Sequence, residues 1–132
     1  MPRGKSPTLT EAELRLMEIL WEKGEATVGD VVAVLPPGAL AYSSVLTTLR
    51  ILEQKGYLTH RKLGRAFVYR PRMDRMSARS STLGYVLRRF FDGSPAALVE
   101  NLVTREEVGS DDLAAIRRVV EQAVPNAVPQ QP

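Results

Sequence analysis

Apolar and polar positions alternate with two different periods along this chain, and the change of period divides it. Leu14, Met17, Ile19, Leu20 and Trp21 recur at helical spacing and predict a first helix with a buried side. Leu9-Thr10-Glu11-Ala12-Glu13-Leu14 starts it: Thr10 can cap the amide of Glu13, the Glu13 carboxylate can reach back, and Leu9 can staple to Leu14. Gly24 stops it. Thr27 caps a second helix, with Asp30 three residues on and an apolar side of Val28, Val31, Val32 and Leu35; Pro36-Pro37-Gly38 must end it. A third helix runs through AYSSVLTTLRILEQKGYL, residues 41 to 58. It has Val45, Leu49 and Leu52 on one stripe with Thr48 beside them, and Gly56 at its end.

After Gly56 the period shortens to that of strands. Tyr57 to Leu63 and Ala66 to Arg70 flank Gly64-Arg65, a hairpin tip, with Phe67 and Tyr69 on one face and Val68 on the other. Pro71 to Arg75 reads as a linker. Helical spacing then returns from Met76: Leu83, Val86, Leu87, Phe90 and Phe91 form a stripe ending at Asp92-Gly93. Ser94 caps the next helix with Pro95 at its first position and Leu98, Val99, Leu102 and Val103 inside. Thr104 to Glu107 repeats a capping-box pattern, the alternative being that the segment to Gly109 is only a turn. Ser110 or Asp111 opens a last helix with Leu113, Ile116, Val119 and Val120 on one side. The expected class is mainly α with a small β-hairpin: a winged helix-turn-helix domain over 9–75 and a helical arm over 76–123. A flexible tail at 1–8 and a disordered end at 124–132 complete the division.

Composition limits the chemistry. With no cysteine, one histidine (His60) and no paired carboxylates around a glycine-rich loop, the chain offers no thiolate metal site, no disulfide and no enzyme centre. His60 has no cluster of ligands beside it and reads as a strand residue or a phosphate contact. No cofactor is expected. A run of eighteen apolar residues is missing, as is an apolar leader at the N-terminus, so a cytoplasmic location without membrane insertion is the expectation.

Charge changes the picture more. Residues 1–75 hold 12 Lys/Arg against 8 Asp/Glu, whereas 76–132 hold 6 against 7, so the basic character belongs to the first part. Lys55, Arg61, Lys62, Arg65, Arg70, Arg72 and Arg75 crowd one stretch whose only acid is Asp74. That asymmetry suggests a polyanion-binding domain joined to a partner-binding part. The side of the third helix away from its apolar stripe carries Ser43, Leu46, Thr47, Arg50 and Gln54. Hydroxyls can bond bases or phosphates, a guanidinium can fork onto guanine and Leu can touch a thymine methyl, so this face suits the major groove of double-stranded DNA. Arg61, Lys62 and Arg65 at the hairpin suit phosphates; a charged tip can also be a solvated edge that resists aggregation. The last helices are too short to close a core of their own. Leu83, Val86, Leu87, Phe90, Phe91, Leu98, Leu102, Leu113, Ile116 and Val120 are therefore expected to pack against a twin in a homodimer, the alternative being an arm folded back on its own domain.

LTEAELRLMEILWEKGEATVGDVV, LAYSSVLTTLRILEQKGYLTHRKLGRAFVYRP and LRRFFDGSPAALVENLV resemble the penicillinase repressors, the BlaI/MecI/CopY-type regulators, over about Leu9 to Val120. The resemblance implies a dimeric winged-helix repressor on a dyad-symmetric operator, with Ser43, Leu46, Thr47 and Arg50 as groove contacts. It also implies relief of repression by cleavage, signalled through a membrane sensor with a cytosolic metalloprotease. Departures are visible. Position 46 is basic in staphylococcal members and Leu here; the family's scissile bond joins asparagine to phenylalanine, whereas the pair here is Asn101-Leu102. Copper-responsive members carry a cysteine cluster, so copper sensing through thiolates is excluded for this chain. Two other readings stay open: a ligand-responsive regulator, which needs a pocket between arm and domain, and a winged helix used for protein contacts without DNA.

Overall fold

A computed structural model describes residues 8–127, with side chains through residue 123. The tail expected at 1–8 falls outside these residues except for Thr8, as does 128–132 of the expected disordered end. Three helices lead: α1 (Glu11–Lys23), α2 (Val28–Val34) and α3 (Tyr42–Gln54). Strands β1 (Leu58–Leu63) and β2 (Ala66–Pro71) follow, then α4 (Arg75–Phe91), α5 (Pro95–Arg105) and α6 (Ser110–Ala127). The chain divides into two compact units, one up to Val86 and one from Leu87.

In the first unit the local signals act where they stand. Thr10 Oγ1 accepts from the Glu13 amide at 3.1 Å while the Thr10 amide donates to Glu13 Oε1 at 2.9 Å. Thr27 and Asp30 repeat the same box at 3.0 Å in both directions. Such caps are worth about 1 kcal/mol each. They satisfy amides that a helix start leaves without partners. Leu35 is extended ahead of Pro36, as a residue before proline must be, and α2 ends there. Gly56 takes φ 93°, where a side chain would be strained, and turns the chain from α3 into β1. The hairpin is antiparallel from Leu58↔Pro71 to Leu63↔Ala66. Ala26, in the connection before α2, adds a bridge to Tyr69 through paired backbone bonds of 2.9 and 2.8 Å.

The core gathers Val45, Leu49 and Leu52 of α3, as the sequence stripe predicts, against α1, α2, Tyr57, Leu58 and Tyr69. One assignment in α1 is corrected. Leu14 is 40% exposed, Ile19 and Trp21 are half-buried, and the fully buried stripe is Leu16, Met17 and Leu20 with Glu13 at its head. Both strips are apolar, so periodicity alone does not choose; the strip that meets α3 became core. Leu14 and Trp21 instead line an apolar groove of 530 Å³ against Ala78, Leu83 and Val86 of α4.

The stretch read as a linker, 71–75, is tied down. The Trp21 Nε1–H donates to the Met73 carbonyl at 2.9 Å, and Arg72 donates its amide to the Tyr57 carbonyl. Asp74 accepts the Ser77 amide at 2.7 Å at the start of α4, which holds its carboxyl below the usual carboxylate range. Ala78 is in the core, so the compact unit extends past residue 75 to Val86.

In the second unit Ser94 caps α5 at Ala97, with Pro95 first in the helix, as expected. Two expectations meet the structure differently. The pattern at Thr104 starts no helix, and the segment to Gly109 is a non-helical connection, the other reading open for it: α5 runs through Thr104 to Arg105, and the Thr104 hydroxyl donates back to the Glu100 carbonyl. The chain is also still helical from 124 to Ala127, where a disordered end was expected.

The tightest polar link is between helices. Lys55 Nζ lies 2.7 Å from Glu13 Oε1, with side chains 5% and 8% exposed, and also donates to the Thr8 carbonyl at 2.9 Å. Removing one partner of a buried pair strands the other. Glu13→Ala should therefore lower unfolding stability by about 3–5 kcal/mol in urea titration, with Glu13→Leu/Lys55→Met costing less than the single change. A loss below about 1 kcal/mol would place the pair with exposed ion pairs.

Candidate nucleic-acid interface

With Val45, Leu49 and Leu52 buried, the rest of α3 is turned outward in two strips. Ser43 and Thr47 form one, both exposed. Tyr42, Leu46 and Arg50, spaced by four, form the other, on the side of the hairpin. Across from this second strip stand Arg65, Ala66 and Phe67, and the cleft between them measures 220 Å³, with Thr27 and Val28 at its α2 end. Of the four groove candidates, Ser43, Thr47 and Arg50 are exposed and Leu46 is half-buried. Arg50 and Arg65, distant in sequence, meet on one cleft. Tyr42 was not singled out from sequence, although the 42-46-50 spacing was there to be read, and Thr27 was read as a helix cap alone.

The hairpin is held against α3 by side chains. His60 Nδ1 lies 2.8 Å from both carboxylate oxygens of Glu53, and its ring stacks on Phe67 at 4.3 Å between centroids. The sequence reading of His60 as a strand residue therefore gains a specific partner on α3. Tyr69 is buried beneath, its hydroxyl facing the Arg50 guanidinium. Arg61 is not free: its guanidinium bonds Glu25 at 3.1 Å, with both side chains about half exposed. An ion pair that exposed is worth about 0–1 kcal/mol, so a phosphate can displace the carboxylate at little cost. Lys62 and Arg65 are exposed.

Among the described residues no three His, Cys, Asp or Glu side chains gather as a metal site would require, and no helix is long and apolar enough to cross a membrane.

Three helices, a basic hairpin and an outward hydroxylic helix face describe a winged helix built for DNA. The family profile described as penicillinase repressor matches residues 9–122. This chain belongs to the penicillinase repressor family. It is accordingly a DNA-binding transcriptional repressor and not an enzyme. The penicillinase repressor of Bacillus licheniformis is 26% identical over 119 residues, 89% of this chain and 93% of that one. The methicillin resistance regulatory protein MecI of Staphylococcus aureus (strain N315) is 20% identical over 119 residues, 89% and 97% of the two chains. The solution structure of the DNA-binding domain of the repressor BlaI is 32% identical, covering 57% of this chain and 93% of that domain, with a TM-score of 0.49. The family match spans both units.

The buried phenols give a test of how α3 is seated. Burial pushes Tyr69 above its ordinary 10.0, and the Glu53 charge adds to this while Arg50 opposes it. Burial raises Tyr57 likewise, against a hydrogen bond with Ser81. Raised folded-state values mean that this stabilisation is complete below pH 10.0 and is lost as pH rises through them. Phenolate absorbance should show Tyr57 and Tyr69 ionising late, with one late proton missing in Tyr69→Phe. Ordinary titration of every tyrosine would contradict this seating.

Proposed function

We propose that this repressor acts in the cytoplasm as a symmetric homodimer on a dyad-symmetric operator, with α3 of each protomer in the major groove. The observation that carries the reading is the outward face of α3, hydroxylic and basic, sharing a cleft with the tip of a basic hairpin. Ser43, Leu46, Thr47 and Arg50 read the bases. Arg61, Lys62 and Arg65 lie along phosphates and supply the sequence-independent, salt-sensitive part of the affinity.

The dimer reading rests on the second unit, in which no described residue is buried. Phe90 is 73% exposed, and Leu102, Leu113 and Val120 are exposed as well. Leu83, in the first unit on the same helix as Phe90, is also exposed. Val86, Leu87, Phe91, Leu98 and Ile116 are only half-buried. Amphipathic helices with no core of their own are stabilised by burying that surface against a second copy. Half-sites would then lie about one helical turn, roughly 34 Å, apart.

Release follows from the same arrangement. The Asn101-Leu102 pair lies inside α5 and is exposed in the single chain, so a cut there requires local unwinding of that helix. A membrane sensor with its protease would supply the cut. It separates Leu113, Ile116 and Val120 from the winged helix and forfeits about 10²–10⁴ in avidity between half-sites. Ligand-responsive release is favoured by one feature, the 530 Å³ groove between α1 and the first part of α4. In that reading the chain is released intact.

On the preferred duplex Arg50→Ala should cost about 1–3 kcal/mol and relax specificity at one base pair. Arg65→Ala should weaken all duplexes alike and reduce the salt slope by about one. An Arg50→Ala protein that keeps wild-type discrimination removes Arg50 from base reading. For the arm, the full chain should sediment as a dimer at micromolar concentration, and a chain ending at Asn101 should stay folded but bind the full operator far more weakly. Mass spectrometry after induction should find that same end. A monomeric full chain refutes the dimer, and an intact one after induction refutes cleavage.

A further inference from the structure

The apolar part of the cleft between α3 and the hairpin is left unexplained by phosphate and guanine contacts. Tyr42 is 57% exposed and takes no part in the core, whereas Leu46, one turn further on, is half-buried. Across from them, Ala66 is exposed and Phe67 half-buried. These four form an apolar patch, with Leu46 and Phe67 packed on the core and Tyr42 and Ala66 open to solvent, and Arg50 and Arg65 line the same cleft. The stripe Val45, Leu49 and Leu52 already supplies the core side of α3, so packing does not require an aromatic ring at position 42. A solvent-facing apolar patch between cations marks a surface that is covered when a polyanion docks.

The partner's chemistry narrows the contact further. On the base edges of a major groove the apolar group on offer is the C5 methyl of thymine; every other feature is a hydrogen-bond donor or acceptor. We infer that Tyr42 and Leu46 form a thymine-methyl contact, so that each operator half-site carries a thymine beside the first two turns of α3. This rests on α3 entering the major groove as proposed above. The distance from Tyr42 to Arg50 along the helix is about 12 Å at the usual rise, so with α3 laid along the groove this thymine falls within roughly three or four base pairs of the position Arg50 reads.

Full-length protein is first used to select its preferred duplex from a random pool. Each thymine of that duplex is then replaced in turn by deoxyuridine, which removes only the methyl. At one or two positions per half-site the replacement should weaken binding about fourfold, the value of one buried methyl-sized group. That penalty should vanish in Tyr42→Ala, persist in Tyr42→Phe, which keeps the ring, and persist in Arg65→Ala, which only lowers the salt slope. Circular dichroism of Tyr42→Ala should match the wild type, because this side chain lies outside the core. Indifference to uracil at every position overturns the inference, as does a penalty that survives both Tyr42→Ala and Leu46→Ala. A penalty lost in Tyr42→Phe assigns the contact to the hydroxyl and also overturns it. If no duplex is enriched over random sequence, the major-groove reading itself fails, which is a different result.

Discussion

A lysine side chain only 5% exposed needs partners that replace water around its ammonium, and Lys55 has two of them. Glu13 arrives from the first turn of α1, where its carboxylate also accepts the Thr10 amide. The Thr8 carbonyl arrives from the segment before that helix. One ammonium therefore joins the entry of α1 to the end of α3, directly before Gly56 turns the chain into the hairpin. A cation at the C-terminal end of α3 also suits that helix's dipole. The orientation of α3, and hence which of its sides faces outward, depends on this corner together with the Val45, Leu49 and Leu52 stripe.

The hairpin depends on the same helix by a softer route. Glu53 holds His60, His60 stacks on Phe67, and Tyr69 lies beneath with Arg50 over it. These groups set the width of the cleft in which Arg50 and Arg65 meet. The interactions around its edge, such as Arg61 with Glu25, are exposed and exchangeable. A rigid helix beside a hairpin with replaceable ion pairs fits a surface that keeps its geometry while trading carboxylates for phosphates.

The second unit follows opposite rules. Its helices are well capped, by Ser94 for α5 and by an Asp112 contact at the start of α6, yet they bury no described residue. Capping contributes about 1 kcal/mol per helix, too little to offset the entropy of ordering helices that have no core. In the homodimer proposed above, burial against a second copy supplies the missing core. In that proposal the arm is a point of control, because separating or covering it changes occupancy of the DNA without touching the groove face.

Local chemistry accounts for most of what could be read in advance. Capping boxes at Thr10 and Thr27, the stop at Pro36, the turn at Gly64 and the α3 stripe each act within a few residues, so their signals lie in consecutive letters. The outward positions of Ser43, Thr47 and Arg50 follow from that stripe by geometry alone. Other features join residues far apart and were not legible. Leu16 rather than Leu14 entered the core because α3 packs on one of two equally apolar strips. The 71–75 stretch became fixed because Trp21 donates to Met73, and Ala78 was drawn into the core. Arg61 met Glu25, and Tyr42 came to face Arg65 and Phe67, only when the hairpin folded against α2 and α3. Periodicity reports which residues share a face of one element. Which face meets which, and what cleft remains between them, is settled by packing between elements distant in the chain.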